Sequence, residues 1–409
     1  SQADHARLVQ SGAPCGWLAL AGRKQLLVRM SAVMPRLFAR HSSAQALPRI
    51  RQSLLYVPGS SEKMLKKVRR PRRAPADRQS QSVSADTLVF DLEDSAYRTQ
   101  SGANRSVAEH RKGTARSLVL DALSVVRRPL TPLTKATPSN GTELAVRINA
   151  PSVRPTLAGN DLDVVLQSAG LQALVLPKVE QAADVAFVAE RAAEANNMYV
   201  AREARAMLTT QGAAALVLSV ENARTLLHLP TIIAESRALL AERKSQIHVA
   251  AVLFASEDYC ASTGVRRLPS RRGLLYPRAH MAMVAQAHGI QAIDMVCIDY
   301  KNEEYLDEEC AEGAELGMDG KQAIHPAQLA SIRRAFSPSQ DDVAEAEAIL
   351  AAYETGAREQ NRGAVALHYG GRDLMIDAYV TQVAAELTCS PMLLQARTTL
   401  ARAQSARRS

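Results

Sequence analysis

Acidic side chains follow directly after several short apolar runs of this sequence. The run AAVLFASEDY contains Glu257 and Asp258, and comparable positions after other runs are held by Asp91, Glu93, Asp94 and Glu221. Carboxylate oxygens are the ligands that hard cations such as Mg2+ take in proteins. One acid at the end of a strand is as readily a helix cap or a partner in an ion pair. Acids that converge from several strands on one rim favour a cation bound through oxygen.

Eight apolar runs rich in β-branched residues would position these acids. A longer segment that is polar on one side follows each run, so strands alternate with helices along the chain. This alternation predicts parallel pairing, and eight is the number at which such a sheet closes into a (β/α)8 TIM barrel. An open doubly wound sheet is the alternative, but no GxGxxG follows the first strand. The runs are SLLYVPG, TLVFDLED, ELAVRINA, ALVLPKVE, ALVLSVEN, VAAVLFASED, AIDMVCID and GKQAIHP.

The C-terminal ends of the strands are where a TIM barrel gathers its chemistry, because the strand interiors must fill the core. Besides the acids, these ends carry further polar side chains: Arg147, Asn149, Lys178, Glu180, Asn222, Asp299 and His325. We therefore expect catalytic and binding residues on this rim.

The composition is that of a globular protein, with 409 residues, 47% of them hydrophobic and 22% charged. Its five cysteines stand far apart, with no CxxC pair and no histidine cluster at zinc spacing, which argues against a disulfide framework or a structural metal site. No apolar run reaches the roughly 18 residues that a membrane span requires. We expect no association with a membrane.

The net charge of +9 is concentrated at one end of the chain. Residues 1–78 contain 16 of the 50 Lys and Arg residues and three of the 41 acidic residues, so the remainder is slightly acidic. The basic segment KKVRRPRRAP lies in this first part and continues into a long loop, residues 69–84, rich in Arg, Pro and Ser. A broad nucleic-acid-binding face is therefore not expected.

Three segments are expected along the chain. Residues 1–50 contain Arg, Ser, Ala and Leu with a single acid, Asp4, which is typical of a mitochondrial transit peptide. A disordered tail is the alternative. Residues 51–336 would form the barrel, and residues 337–409 a C-terminal helical extension.

The ordered motifs of the chain resemble one enzyme family. From residue 51 to residue 395 they read RQSLLYVPGSSEKMLKK, LVFDLEDS, AVRINA, VLPKVE, VLSVENA, LFASEDY, YPRAHMAMVAQAHGIQAID, GKQAIHPAQ and MIDAY. This order is similar to the citrate lyase β-subunit-like branch of the HpcH/HpaI aldolase family, and within it to mitochondrial citramalyl-CoA lyases. The resemblance implies a Mg2+-dependent TIM barrel in the mitochondrial matrix, commonly a homotrimer, that acts on acyl-CoA thioesters.

The resemblance also implies roles for individual residues. Glu221 and Asp258 would be the protein ligands of Mg2+, with Glu257 a neighbour that hydrogen-bonds or caps the next helix. Asp91, Glu93 and Asp94 would hold water near the metal and orient Arg147. Arg147 would stabilise the enolate of acetyl-CoA, and Asp377 of MIDAY would act as general acid/base in a neighbouring protomer, with Asp373 as its nearby competitor.

A second set of residues would bind the coenzyme A part of the substrate. Tyr56, Lys63 and Lys67 match family positions near the first strand, and Ile324 and His325 would line the same pocket. Lys63 and Lys67 are four residues apart, so both ammonium groups lie on one face of the first helix, which suits phosphates. Two lysines at this spacing are otherwise an ordinary solvated surface.

The reaction implied by the resemblance is cleavage of citramalyl-CoA to acetyl-CoA and pyruvate. Malyl-CoA lyase or malate synthase activity is the nearest alternative, because its substrate differs by one methyl group, and a citrate lyase β subunit is another. A barrel that only binds CoA or RNA is the alternative outside catalysis. In MIDAY, relatives often have Arg-Pro after MID where this chain has Ala378 and Tyr379, which leaves the placement of Asp377 open.

Overall fold

Each of the eight apolar runs forms a strand, and the strands close in chain order into a parallel barrel in the computed structural model. The last strand pairs with the first, so the sheet has no free edge. The predicted TIM barrel is confirmed, and the open doubly wound sheet is wrong. The strands are β1 Ser53–Pro58, β2 Thr87–Asp91, β3 Glu143–Arg147, β4 Ala173–Leu176, β5 Ala214–Val220, β6 Ile247–Phe254, β7 Gln291–Asp294 and β8 Gly320–Ala323.

Helices follow the strands and cover the outside of the barrel, as the alternation predicts. They are α1 Glu62–Val68, α2 Arg105–Val125, α3 Pro155–Val165, α4 Ala182–Tyr199, α5 Ala223–Glu242, α6 Ser256–Thr263, α7 Arg272–Ala287, α8 Glu303–Glu315 and α9 Leu329–Phe336. A short 3-10 turn, Pro326–Gln328, connects β8 to α9.

The structure describes residues 49–68, 85–93, 105–125, 141–199, 214–355, 364–377, 381–383, 386–388 and 391–408. Nearly all of the predicted leader, the basic segment 69–84 and Asp94 lie outside these residues. Within the described part, no helix is long and apolar enough to cross a membrane.

Two apolar layers explain why the strands are continuously hydrophobic. One face of each strand fills the barrel interior with side chains such as Leu54, Val89 and Val217, and the other packs against the helices through side chains such as Phe90 and Leu218. Successive residues of a strand point to opposite faces, so a strand buried on both sides has no position for a solvated residue. Polar side chains are thereby displaced to the strand ends.

The outer layer near β7 and β8 also holds a buried network of ion pairs. Lys321 of β8 lies 3.5 Å from Asp294 of β7 and 3.1 Å from Glu309 of α8. Arg278 of α7 binds Asp294 at 2.8 Å, and all four side chains are fully buried. Paired charges are tolerated in a core because each offsets the desolvation of the other.

The C-terminal extension is helical, with α10 Gln340–Tyr353 and α11 Pro391–Arg408. It also contains two β-hairpins that the sequence analysis did not predict: β9 Ala364–Tyr369 with β10 Arg372–Asp377, and β11 Thr381–Val383 with β12 Glu386–Thr388. Ile376 of β10 is fully buried and joins Ala346, Ile349 and Leu393 in a small core of the extension. Arg402 of α11 forms an ion pair with Asp319, just before β8, and so ties the extension to the barrel.

Candidate active site

Arg147 and Asp91 form the most tightly defined contact of the barrel rim. They end the neighbouring strands β3 and β2 and are register partners, so both side chains project in the same direction. Arg147 donates from Nε to Asp91 Oδ1 and from Nη2 to Oδ2, each at 2.9 Å. A bidentate pair of this kind fixes the plane of the guanidinium. Burial acts to lower the pKa of Arg147, but Asp91 together with Tyr56 and Glu93 outweighs it, and the pKa lies well above its usual value.

Tyr56 of β1 completes the surroundings of this guanidinium. The Cζ atom of Arg147 lies 5.0 Å from the centroid of the Tyr56 ring, which is a cation–π contact. The Tyr56 hydroxyl donates to Gln322 Oε1 at 3.1 Å, and burial raises the pKa of the phenol. Tyr56 was predicted to bind coenzyme A. The structure places it against Arg147 inside the rim, where it stays protonated and hydrogen-bonded.

Glu93 connects Arg147 to a second cationic side chain. Its carboxylate lies 3.3 Å from Arg147 Nη1 through Oε2 and 2.9 Å from Lys178 Nζ through Oε1. The backbone N–H of Glu93 donates to Asp91 Oδ1 at 3.0 Å, which orders the turn after β2. Asp91 at the end of β2 and Glu93 two residues later thus both contact Arg147, and Glu93 also binds Lys178, which follows β4.

Glu221 and Asp258, the predicted metal ligands, approach each other across the ammonium of Lys178. Lys178 Nζ lies 3.5 Å from Glu221 Oε2 and 3.9 Å from Asp258 Oδ1. Glu221 is buried directly after β5, whereas about half of the Asp258 side chain, in the first turn of α6, is exposed. One carboxylate is thus fixed in the barrel and the other faces the open rim.

The oxygen atoms present fit a hard cation. Glu221 Oε1 accepts the backbone N–H of Lys178 at 3.1 Å, while the buried Oε2 has no hydrogen-bond partner among the described residues. No group of three or more His, Cys, Asp or Glu side chains in the described part is arranged to hold a metal. Mg2+ commonly uses one or two protein carboxylates and takes its other oxygens from water and substrate. A pair of carboxylates, one of which has a buried oxygen that accepts no hydrogen bond, meets that requirement.

Glu257, next to Asp258, is bound by Arg267. Arg267 binds Glu257 and also donates to Ser256 Oγ at 3.0 Å, to the Val296 carbonyl at 2.6 Å and to Glu309 at 3.0 Å. The predicted hydrogen bonding of Glu257 is therefore present, although no side chain caps the start of α6. Arg267 also joins the end of β6 to the buried network around Lys321.

Several other polar strand ends have local structural partners. Asn149 accepts a hydrogen bond from Lys112 and donates to Asp161 at 2.5 Å. Asn222 caps α5 by accepting the Thr225 N–H at 2.8 Å, and donates to Glu180 at 3.1 Å. These residues shape the rim and the helix starts.

The predicted coenzyme A residues lie on the side of the rim formed by β1 and β8, which are paired strands. Lys63 and Lys67 are exposed on α1. Ile324 is exposed, and His325 stacks on Tyr300 with ring centroids 4.8 Å apart. His325 Nδ1 also accepts the Ala327 N–H at 3.2 Å and so caps the 3-10 turn, which gives the histidine a structural function.

Asp377 is the last residue of β10 and is paired in register with Ala364. Its competitor Asp373 is exposed in the same hairpin and contacts His368 Nδ1 at 2.7 Å. The role of Asp377 stays a prediction.

Lys178 is the residue whose importance the sequence analysis missed. It was recognised as a strand-end side chain but received no role, because a lone lysine in VLPKVE gives no indication of its partners. In the structure its ammonium touches acids from three separate strand ends. One feature of the sequence could have pointed to this role of Lys178: it lies at a strand end of the rim, and most of the other charged strand-end residues are acids.

A family model supports the resemblance independently of these contacts. The model of HpcH/HpaI aldolase/citrate lyase matches residues 52–326. The chain belongs to this family. It is 31% identical over 389 residues to the mitochondrial citramalyl-CoA lyase of Homo sapiens, with 95% of each chain covered. It is 29% identical to citrate lyase subunit beta of Escherichia coli (strain K12), covering 78% of this chain and 87% of that protein.

A solved member of the family agrees with the fold. The structure of CitE from Mycobacterium tuberculosis in complex with magnesium, acetoacetate and coenzyme A matches with a TM-score of 0.53 and 25% identity. The match covers 87% of this chain and 98% of CitE. The relatives are named lyases, so the predicted carbon–carbon lyase class is confirmed. The magnesium in CitE agrees with the predicted cofactor.

Proposed function

We propose that this HpcH/HpaI family member is a mitochondrial, Mg2+-dependent lyase that cleaves citramalyl-CoA to acetyl-CoA and pyruvate. Its similarity to mitochondrial citramalyl-CoA lyase over 95% of the chain supports the compartment and the substrate, and the coenzyme A in the CitE complex supports a CoA ester. The observation that carries the proposal is the link through Glu93. Through Glu93 and then Lys178, a series of ion pairs connects the fixed guanidinium of Arg147 with the oxygen pair Glu221 and Asp258.

Arg147 would stabilise the charge that develops on the thioester. When the substrate hydroxyl passes its proton to water, a carbonyl forms there, the adjacent C–C bond breaks and its electron pair becomes the enolate of acetyl-CoA. A guanidinium already held by Asp91 and Tyr56 needs no reorganisation as this charge appears, which is the condition for electrostatic catalysis. The raised pKa of Arg147 keeps it cationic throughout.

Glu221 and Asp258 would hold the cation at the other end of the substrate. Mg2+, when bound, supplies a Lewis acid and a template for the hydroxyl and carboxylate oxygens of the substrate. Glu221 is fixed by the backbone N–H of Lys178, so its other oxygen, which accepts no hydrogen bond, has a defined direction. Asp258 faces the open rim, where the substrate would enter.

Asp377 would return a proton to the α-carbon of the enolate. A carboxyl group placed near that carbon acts as general acid in cleavage and as general base in the reverse condensation. We assign this role to Asp377 in a neighbouring protomer of a homotrimer, in line with the resemblance. Lys63, Lys67, Ile324 and His325 would bind the coenzyme A part on the β1–β8 side.

The substrate is tested by comparing two thioesters. The purified full chain with Mg2+ should show a higher kcat/KM for citramalyl-CoA than for malyl-CoA, by the roughly 10- to 200-fold that one methyl group can provide. A preference for malyl-CoA would be compatible with the proposed mechanism but would show that the assigned substrate is wrong. Turnover of neither thioester would overturn the proposed function.

A further inference from the structure

Lys178 places one ammonium among carboxylates from three different strand ends. Its Nζ lies 2.9 Å from Glu93, 3.5 Å from Glu221 and 3.9 Å from Asp258. The last two are the residues to which we assign Mg2+. The ammonium therefore stands where a cation shared by these two carboxylates would be attracted.

The backbone of Lys178 contributes a second, independent contact. Its φ angle is +51°, in the left-handed region that residues with a Cβ rarely adopt. In this conformation its N–H donates to Glu221 Oε1 at 3.1 Å. Unfavourable backbone conformations persist where surrounding contacts determine them, and they cluster at functional sites. Lys178 thus fixes one oxygen of Glu221 with its backbone and approaches the other with its side chain.

We propose that Lys178 is a positioning residue whose ammonium offsets the charges of Glu221 and Asp258 when no metal is bound, and keeps only its contact with Glu93 when a divalent cation enters. The inference rests on the proposed metal ligands and adds a function for a residue to which we have assigned none. Glu93 is the nearest of its three partners and is not one of the assigned ligands, so it can retain the ammonium during the exchange.

Two opposite electrostatic effects follow from this arrangement. Without the ammonium, three neighbouring carboxylates would repel one another, so the metal-free protein would be less stable. With the ammonium nearby, a divalent cation meets a like charge within a few ångströms, so its affinity is lowered. Lys178 would therefore keep the ligands in place at the expense of cation affinity.

The test measures cation binding in the absence of any CoA compound. Mn2+ serves as the probe, and its Kd is determined by calorimetry for the full-length wild type and for Lys178→Met. We expect Lys178→Met to bind Mn2+ about tenfold more tightly, in accordance with the lost repulsion. We also expect a lower Tm without metal and a larger rise in Tm on adding Mg2+ than in the wild type.

Two further variants separate the ammonium from the backbone. Lys178→Arg should restore a Kd near that of the wild type, because it restores the cation. Lys178→Gly tolerates the left-handed backbone and should bind Mn2+ as tightly as Lys178→Met. The glycine variant also provides a measurement if the methionine variant does not fold. Lys244 is exposed and has a φ of +49°, so Lys244→Met is the matched control and should change neither Kd nor the Mg2+-induced shift.

An unchanged or weaker Mn2+ affinity in both Lys178→Met and Lys178→Gly would overturn the proposal. The separate failure of the lyase function would be recognised by a wild type that binds Mn2+ but turns over no thioester.

Discussion

Both carboxylate oxygens of Asp91 bind the guanidinium of Arg147, each at 2.9 Å, across the C-terminal ends of two neighbouring strands. A similar bidentate pair, Arg51 with Glu143, occurs at the opposite end of the barrel, with both contacts at 2.7 Å. Glu143 begins β3 and Arg147 ends it. One strand therefore carries two arginine–carboxylate pairs, one buried and one partly buried. In a TIM barrel, this position assigns chemistry to the C-terminal pair and stability to the other.

Substitution of Arg147 should act on the chemical step. Arg147→Met removes the fixed cation, and we expect kcat to fall by about 100-fold or more, the usual effect of losing one group that stabilises an oxyanion. Asp91→Asn weakens the clamp and should lower kcat by a smaller factor. Steady-state kinetics with citramalyl-CoA provides both values.

Glu143→Gln is the matched control for this prediction. It disrupts the pair with Arg51 and should lower the Tm while kcat stays near that of the wild type. Equal losses of kcat in Glu143→Gln and Arg147→Met would show that both pairs act only through stability.

Removal of a proposed metal ligand should act on cation affinity. Loss of a residue that only supports a metal ligand weakens metal binding roughly 10- to 100-fold. We expect Glu221→Gln and Asp258→Asn, which alter the proposed ligands themselves, each to weaken Mg2+ binding by at least this factor. Titration of activity against Mg2+ concentration measures the change. Glu257→Gln is the control, because Glu257 is bound by Arg267; a loss as large as that of Asp258→Asn would mean that the ligand has been assigned to the wrong acid.

The two acids of the β9–β10 hairpin should differ in their effects. Asp377→Asn should lower kcat and remove one limb of its pH profile, since the proposed proton donor would be lost. Asp373 is exposed and contacts His368, so Asp373→Asn should leave the profile unchanged. The reverse result would move the general acid to Asp373.

Truncation of the buried lysine should act on stability. Lys321→Met leaves Asp294 and Glu309 without their shared ammonium, and we expect the free energy of unfolding to fall by about 3 to 5 kcal/mol at pH 7. Burial acts to raise the pKa of both carboxyl groups. For Asp294 this effect is outweighed by Lys321 and Arg278, and for Glu309 by Lys321 and Arg267, so both pKa values lie below their usual range.

A pH series checks the sign of this effect. Groups with a lowered pKa in the folded state contribute stability above their unfolded pKa, and that contribution is lost as the pH falls through the folded pKa. In Lys321→Met the two carboxyl groups can take up protons, so the deficit relative to the wild type should shrink as the pH falls from 7 towards 4. Denaturant unfolding at several pH values measures it, and a constant deficit would contradict the assigned cause.

The strands and the main site residues could be predicted from the sequence because burial on both faces produces a continuous apolar run. Such a run shows where a strand ends and hence which side chains, such as Arg147 and Glu221, reach the rim. The contacts of Lys178 could not be predicted, because its nearest partner Glu93 lies 85 residues away. Apolar patterning indicates the faces of strands and leaves the pairing of distant charges open.

The extension was predicted less completely for a similar reason. The strands β11 and β12 have only three residues each, and β9 alternates between exposed and half-buried residues, so the extension lacks the apolar runs that marked the barrel strands. Lys321 lay within a predicted strand, yet its burial depends on Asp294 and Glu309, which come from other elements.

Pyruvate release from citramalyl-CoA is the measurement that tests the central claim most directly. The purified full chain is assayed with Mg2+, again after chelation, and once more after Mg2+ is restored, with Arg147→Met alongside. The proposed site predicts equal amounts of pyruvate and acetyl-CoA, loss of both on chelation, recovery with Mg2+ and strongly reduced turnover in the variant. Pyruvate release that persists without a divalent cation, or that does not require Arg147, would contradict it.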